Sequence, residues 1–237
     1  LHDALPICFK YANFNVIDSV AALIDDDTAA IMLELVQGEG GVFPANQEFI
    51  SALVKLAQRH NILIIVDEVQ TGMGRTGTKF AYMNYQFEPD IVTSAKALAN
   101  GLPVGAMLAK NHLANALSYG THGSTFGGNP LVMSAAQATL SVLDDVLPTL
   151  QPKIDIFWEK LAAIAALSVV SEVRGLGMMA GIALETPVKD VVSDLLDEHI
   201  IVLSAGQNTL RLLPPLTIPS DKLINSLDKI KNYLSKK

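Results

Sequence analysis

Apolar positions along the chain follow two alternating rhythms. Helical spacing runs through Val16, Ile17, Val20, Ala21, Leu23 and Ile24, and again through Phe49, Ile50, Leu53, Val54 and Leu56 of Gln47–His60. Asn61 then stands where a left-handed C-terminal residue is expected. A further strand is expected at 104–108, and between the helices lie apolar runs without polar alternation: 29–35, 62–66 and 91–93. Such runs predict buried strands of a parallel sheet. A short helix with connecting loop is expected over 109–119, a long helix over 131–147 broken at Pro148, and another over 150–166 carrying the only tryptophan, Trp158. Beyond it, strands at 169–173, 178–184, 201–203 and 209–213 alternate with helices at 188–198 and 221–234. Asp221 in the first turn and Lys236 and Lys237 at the end suit the dipole of the last helix. The pattern predicts an α/β protein. Its large domain spans 9–130, and 131–237 holds bridging helices and a small α/β domain.

Two strand ends carry chemistry. The run Ile62–Val66 ends in Asp67, and Ile91–Thr93 leads into Ser94-Ala95-Lys96. The carboxyl edge of an open parallel sheet is where ligands bind. A lysine enclosed there by apolar neighbours is desolvated, which lowers its pKa and favours covalent capture of a carbonyl. An amine and a carboxylate together suit pyridoxal phosphate, whose aldehyde needs the amine and whose pyridinium nitrogen needs the anion. The plainer alternative makes Asp67 a turn cap and Lys96 a surface lysine. Gln37–Gly41 reads as a flexible glycine loop with one acid, Glu39. Gly72, Gly74 and Gly77 match a dinucleotide-binding pattern after a strand, with Glu88 or Asp90 in range for a ribose. That pattern must open a helix, and Thr78–Pro89 is too aromatic and too short for one. His122–Pro130 is rich in glycine and hydroxyls, suiting an anion or an interdomain turn. Ser124 lies outside G-x-S-x-G, so no hydrolase elbow is supported. His122 has no nucleophile to serve and reads as structural.

Composition narrows the classes. With 237 residues, 50% apolar and 17% charged, the chain can bury a sizeable core. A net charge of -7 argues against nucleic acid, which needs a basic face. No apolar run approaches the roughly 18–20 residues that span a bilayer. No metal-ligand spacing stands out. One cysteine, Cys8, excludes an internal disulfide framework and fits a reducing compartment. Leu1–Ile7 resembles translated sequencing-adapter read-through, so 1–8 is expected to be a non-native scar.

Several ordered motifs change the picture together. They are Gln37-Gly38-Glu39-Gly40-Gly41, Asp67-Glu68-Val69-Gln70-Thr71-Gly72, Gly74-Arg75-Thr76-Gly77, Pro89-Asp90, Ala95-Lys96, Gly101-Leu102-Pro103, His122–Pro130 and Arg211–Leu216. With 29 positions from Asp67 to Lys96, they resemble the class III pyridoxal-phosphate aminotransferases from about Tyr11 onward. Leu35 departs from the family's usual proline, which would loosen the start of the glycine loop. The resemblance implies a fold-type-I enzyme with a mostly parallel sheet, here incomplete because the family's N-terminal part and its phosphate cradle are missing. It implies transamination of an ω-amino group, from N-acetylornithine or a close relative such as ornithine or succinyl-diaminopimelate, to 2-oxoglutarate, in arginine biosynthesis. Lys96 would carry pyridoxal 5'-phosphate, Asp67 its ring nitrogen, Val69 the ring face and Gln70 the ring hydroxyl. Thr125, beside Ser124, would bind the phosphate of a neighbouring subunit in a cytoplasmic homodimer. Glu39 would pair with Arg211 over the substrate. The readings left beside it are a nucleotide-binding α/β protein and a fragment inactive by itself.

Overall fold

The computed structural model describes residues 9–237; the expected scar and Cys8 lie outside the described residues. Helix α1 (Ile17–Ala21) and strand β1 (Ala30–Glu34) come first. A two-stranded ribbon follows, β2 (Val36–Gln37) and β3 (Phe43–Pro44), then α2 (Gln47–His60), β4 (Leu63–Asp67), β5 (Ile91–Ser94) and β6 (Ala106–Ala109). Three of these strands make a parallel core, in the order β1-β4-β5, and β6 closes one side antiparallel to β5. Helix α2 buries Phe49, Ile50, Leu53, Leu56 and Ala57 in the core that also takes Ile64 and Val66 of β4. It stops at Asn61, whose φ of 52° is the left-handed turn that ends a helix.

The second half starts at α3 (Pro130–Val146). Asn129 caps it, its side chain accepting the Leu131 amide, and Pro130 takes the first turn, where its missing N–H costs nothing. After α4 (Gln151–Ala165) come β7 (Val170–Leu176), β8 (Met179–Leu184), α5 (Lys189–Asp197), β9 (Leu203–Ala205), β10 (Thr209–Leu212) and α6 (Ser220–Leu234). The sheet order is β7-β8-β10-β9, antiparallel throughout. Links of two or three residues between β7 and β8 and between β9 and β10 cannot carry a parallel crossover, so hairpins form. Phe157, Leu161 and Ile164 of α4 and Leu223, Leu227, Ile230 and Leu234 of α6 cover this sheet in a separate core.

Differences from the sequence reading have local causes. The helix expected over 109–119 is a 3-10 turn at Asn111–Ala116, and the strand expected at 201–203 lies at 203–205. The ribbon β2–β3 had no sequence signature, because two-residue strands show no period. Leu35 does not loosen the glycine loop. Its side chain is fully buried and its carbonyl accepts the Ala45 amide at 2.8 Å.

Candidate active site

The carboxyl edge of the parallel strands places three polar residues in one row. Glu34 pairs in register with Asp67, and Asp67 with Thr93. Asp67 turns one oxygen back on its own loop, Oδ1 accepting the Val69 amide at 2.9 Å. Lys96 follows β5 in a 3-10 turn with φ of 45°, a left-handed conformation uncommon for a side-chain-bearing residue and frequent at functional sites. It stands on the wall of a cavity of about 710 Å³, with Val69, Gln70, Arg75 and Asn100 nearby and α3 opposite. The sequence placed Lys96 among enclosing apolar neighbours. In this chain it is exposed on the wall of that cavity. Glu34 is half-buried; desolvation pushes its carboxyl up, and the charge of Asp67 adds to this.

The second cluster stands on the C-terminal sheet. Arg211 sits on β10, its side chain 7% exposed. Its Nη1 donates to Glu39 Oε1 at 2.7 Å and to Gln70 Oε1 at 3.0 Å, while Gln70 Nε2 donates to Glu39 at 3.3 Å. Glu39 is 71% exposed, so the buried cation is met by an acid that solvent can reach. The Arg211 guanidinium holds the Glu39 carboxyl below the usual carboxylate range. Sequence separates the two by 172 positions, and only tertiary packing closes that gap.

The glycine turn around Glu39 is not the flexible loop read from sequence. Gly38 N–H donates to Glu34 Oε2 at 3.2 Å, and Gly206 N–H donates to the Glu39 carbonyl at 3.0 Å. Val42 is fully buried with φ of 59°. A β-branched residue in that region costs about 1–3 kcal/mol and persists only where its surroundings hold it. Here Val36, Met179 and Ala205 do so.

Gly72, Gly74 and Gly77 do not form a dinucleotide site. Turns follow β4, then a 3-10 helix at Ala81–Tyr85, and no helix opens at the glycines. They permit close packing instead. A Cβ on Gly74 would meet Leu216 and Leu143 at under 3.0 Å. Ser124 and Thr125 lie on an exposed loop away from the Lys96 cavity, with Ser124 Oγ accepting the Gly127 amide. His122 is exposed on the same loop.

Three residues escaped the sequence reading. Glu68 is buried beside Asp67, accepts the Thr71 hydroxyl and the Tyr82 amide, and is pushed up by desolvation. Arg75 donates to the carbonyls of Met178 at 2.9 Å and Pro214 at 2.7 Å, tying the glycine-rich turn to the second sheet. Arg174 donates to the Gly41 carbonyl. Their sequence neighbours, polar or glycine-rich around Glu68 and Arg75, carried no signal of burial; only the packed structure shows the partners that a buried charge needs.

The donor set fits pyridoxal phosphate. It offers an amine on a cavity wall, a carboxylate one strand away, and buried hydroxyls of Thr93 and Ser94 without partners at the same edge. Residues 9–234 match the family described as aminotransferase class III. Acetylornithine aminotransferase of Streptococcus mutans is 49% identical over 224 residues, 93% of this chain and 59% of that protein. Its counterpart in Methanocaldococcus jannaschii is 44% identical, over 98% of this chain and 60% of that protein. The chain thus spans about three fifths of the length of these curated relatives. Among solved structures, N-acetylornithine aminotransferase from Stenotrophomonas maltophilia superposes with a TM-score of 0.86 at 34% identity, covering 96% of this chain and 62% of that one. Ornithine aminotransferase from Toxoplasma gondii gives 0.89 at 28%, covering 95% and 56%. The chain belongs to the class III aminotransferases, a pyridoxal-phosphate-dependent family of fold type I.

Proposed function

We propose that the protein carrying this chain transfers the ω-amino group of N-acetylornithine to 2-oxoglutarate, a step of arginine biosynthesis. The observation that carries this reading is the Glu39–Arg211 pair, bridged by Gln70 from the loop that follows Asp67. A transaminase must accept two substrates in one site. An ω-amine brings only hydrogens and methylene beside its reacting carbon, whereas 2-oxoglutarate brings a carboxylate. A buried arginine left unpaired costs about 3–5 kcal/mol. Glu39 neutralises Arg211 for the first substrate and swings to solvent for the second.

When bound, pyridoxal phosphate supplies an electron sink for cleavage of a bond to the substrate carbon. Lys96 Nζ would hold the cofactor and, once released, would move a proton at the substrate carbon as a general acid–base. Asp67, with one oxygen on the Val69 amide, would have the other free to keep the ring nitrogen protonated. Val69 would pack on the ring, and Gln70 would offer its second amide hydrogen to the ring hydroxyl. Thr125, with Ser124, would bind the phosphate of a neighbouring subunit in a homodimer, and the enzyme would work in the cytoplasm. The division into 9–130 and 131–237 is supported by the two separate sheets, one on each side of it. The names of the relatives at 44–49% identity support N-acetylornithine as the donor. Ornithine and succinyl-diaminopimelate are the competing donors.

Borohydride reduction of the holoenzyme followed by peptide mapping should put the pyridoxyl group on Lys96. A label on Lys79 or Lys110 overturns the assignment. Assays with the three donors and 2-oxoglutarate should give the highest kcat/KM with N-acetylornithine.

A further inference from the structure

Arg174 and Arg211 share one row of the C-terminal sheet. Both pair in register with Gly181, Arg174 from β7 and Arg211 from β10. Cross-strand partners point to the same face, so both guanidinium groups face the glycine turn lying over that row. Gly181 makes room for it, since a Cβ there would meet Val42 Cβ at 2.9 Å and the Gly41 carbonyl at 3.1 Å. Arg174 grips the turn from below. Its Nε donates to the Gly41 carbonyl at 2.8 Å, and its guanidinium lies 3.8 Å over the Phe43 ring. It is itself fixed, with Nη2 on Thr209 Oγ1 at 3.1 Å and Nη1 on Glu172 at 2.6 Å. Thr209 lies two residues before Arg211 on the same strand, so one strand anchors both the grip and the cation that Glu39 meets.

We propose that Arg174 is the positioning residue of the Glu39–Arg211 pair, fixing the backbone of the turn so that only the Glu39 side chain moves. The inference rests on the switching role given above to Glu39. A turn held at Gly38, Glu39 and Gly41 returns the carboxylate to the same place each cycle. A loose turn spreads it over many positions and weakens the neutralisation of Arg211 when the ω-amine is bound. Arg174 touches no reacting atom and acts through the Gly41 carbonyl and the Phe43 ring.

Two experiments separate this from a merely structural role. In the chain itself, the Glu39 carboxyl is titrated by carbon-13 NMR, its resonance assigned by loss in E39Q. The charges facing it are Arg211, less directly Lys96, and the acid Glu34 at the start of the same turn. Arg211→Ala sets the unpaired midpoint. Arg174→Met and Arg174→Lys should both move the Glu39 midpoint at least halfway to that value. Lysine keeps the charge but not the planar fork that stacks and donates, so a midpoint unchanged in Arg174→Lys overturns the proposal, whether or not Arg174→Met folds. In the holoenzyme, single-turnover rates should show Arg174→Lys slowing the ω-amine half-reaction about 10-fold more than the glutamate half-reaction. The excess should vanish in an E39Q background. Equal losses in both halves overturn the proposal. If E39Q alone slows both halves alike, the switching role fails instead, and the titration still decides whether Arg174 places Glu39.

Discussion

Asp67 and Glu68 are adjacent acids with opposite surroundings. Asp67 is half-buried at a strand end, while Glu68 is buried beneath the following turn. Asp67→Asn keeps the shape and removes the charge. The loss of one charge-assisted bond, roughly 1.5–3 kcal/mol, should lower the single-turnover rate of the holoenzyme by about 10- to 100-fold. Near-normal rates would remove Asp67 from the ring nitrogen. For Glu68, desolvation raises the folded pKa above its ordinary 4.5. The folded state then holds a proton that the unfolded chain has already released. Stability from this group is therefore full below pH 4.5 and falls as pH rises through the folded value. Glu34 carries the same sign, so the comparison must be with a variant. Urea midpoints measured between about pH 4 and 8 should decline less steeply for Glu68→Gln than for the parent chain. Parallel curves would show that Glu68 keeps no proton.

At the scale of elements, the turn after β4 and the β7–β8 hairpin hold each other. Arg75 donates to Met178 and Pro214, the Met178 amide donates back to the Arg75 carbonyl, and Trp158 Nε1 donates to Gly177. Burial pulls the Arg75 guanidinium down to about 10, and no carboxylate pairs with it among the described residues. Replacing it by methionine fills similar space but strands two carbonyls. The expected loss is roughly 2–3 kcal/mol, read from urea unfolding. Gly177 is less forgiving. It has φ of 60°, and a Cβ would come within 2.3 Å of the Thr76 backbone. Gly177→Ala should therefore force the two segments apart, seen as a further drop in the urea midpoint and loss of the Trp158 bond by fluorescence. A neutral Gly177→Ala would mean the two elements are not in contact.

At the scale of the whole molecule, the segment 117–131 carries several exposed apolar side chains. Leu117, Tyr119, Phe126 and Leu131 are all exposed, Phe126 at 83%, and they flank the loop that holds Ser124 and Thr125. Large exposed apolar patches mark interaction surfaces, and a second copy is the partner proposed above. Phe126→Glu should shift the enzyme from dimer to monomer in sedimentation and weaken cofactor retention with it. A dimer that survives the change, with cofactor retained, would place the subunit contact elsewhere.

What the sequence determined by itself is what short range controls. Helix α2 runs over Gln47–His60 as its spacing requires, and Asn61 ends it because the left-handed turn is a local property. The strand ending in Asp67 and the strand leading into Lys96 were likewise legible as unalternating apolar runs, although in the structure only one face of each is fully buried. Tertiary structure decided the rest. Whether Lys96 is enclosed depends on which elements cover its turn, and no local pattern contains that. Whether a glycine loop moves depends on partners such as Gly206 and Arg174, far away in the chain. The C-terminal strands showed their β character in sequence, but their antiparallel order followed from hairpin links and from which faces α4 and α6 could bury. Glu39 and Arg211 meet only because one sheet lays its Gly181 row under the other half's turn, a geometry of two packed surfaces and not of any one segment.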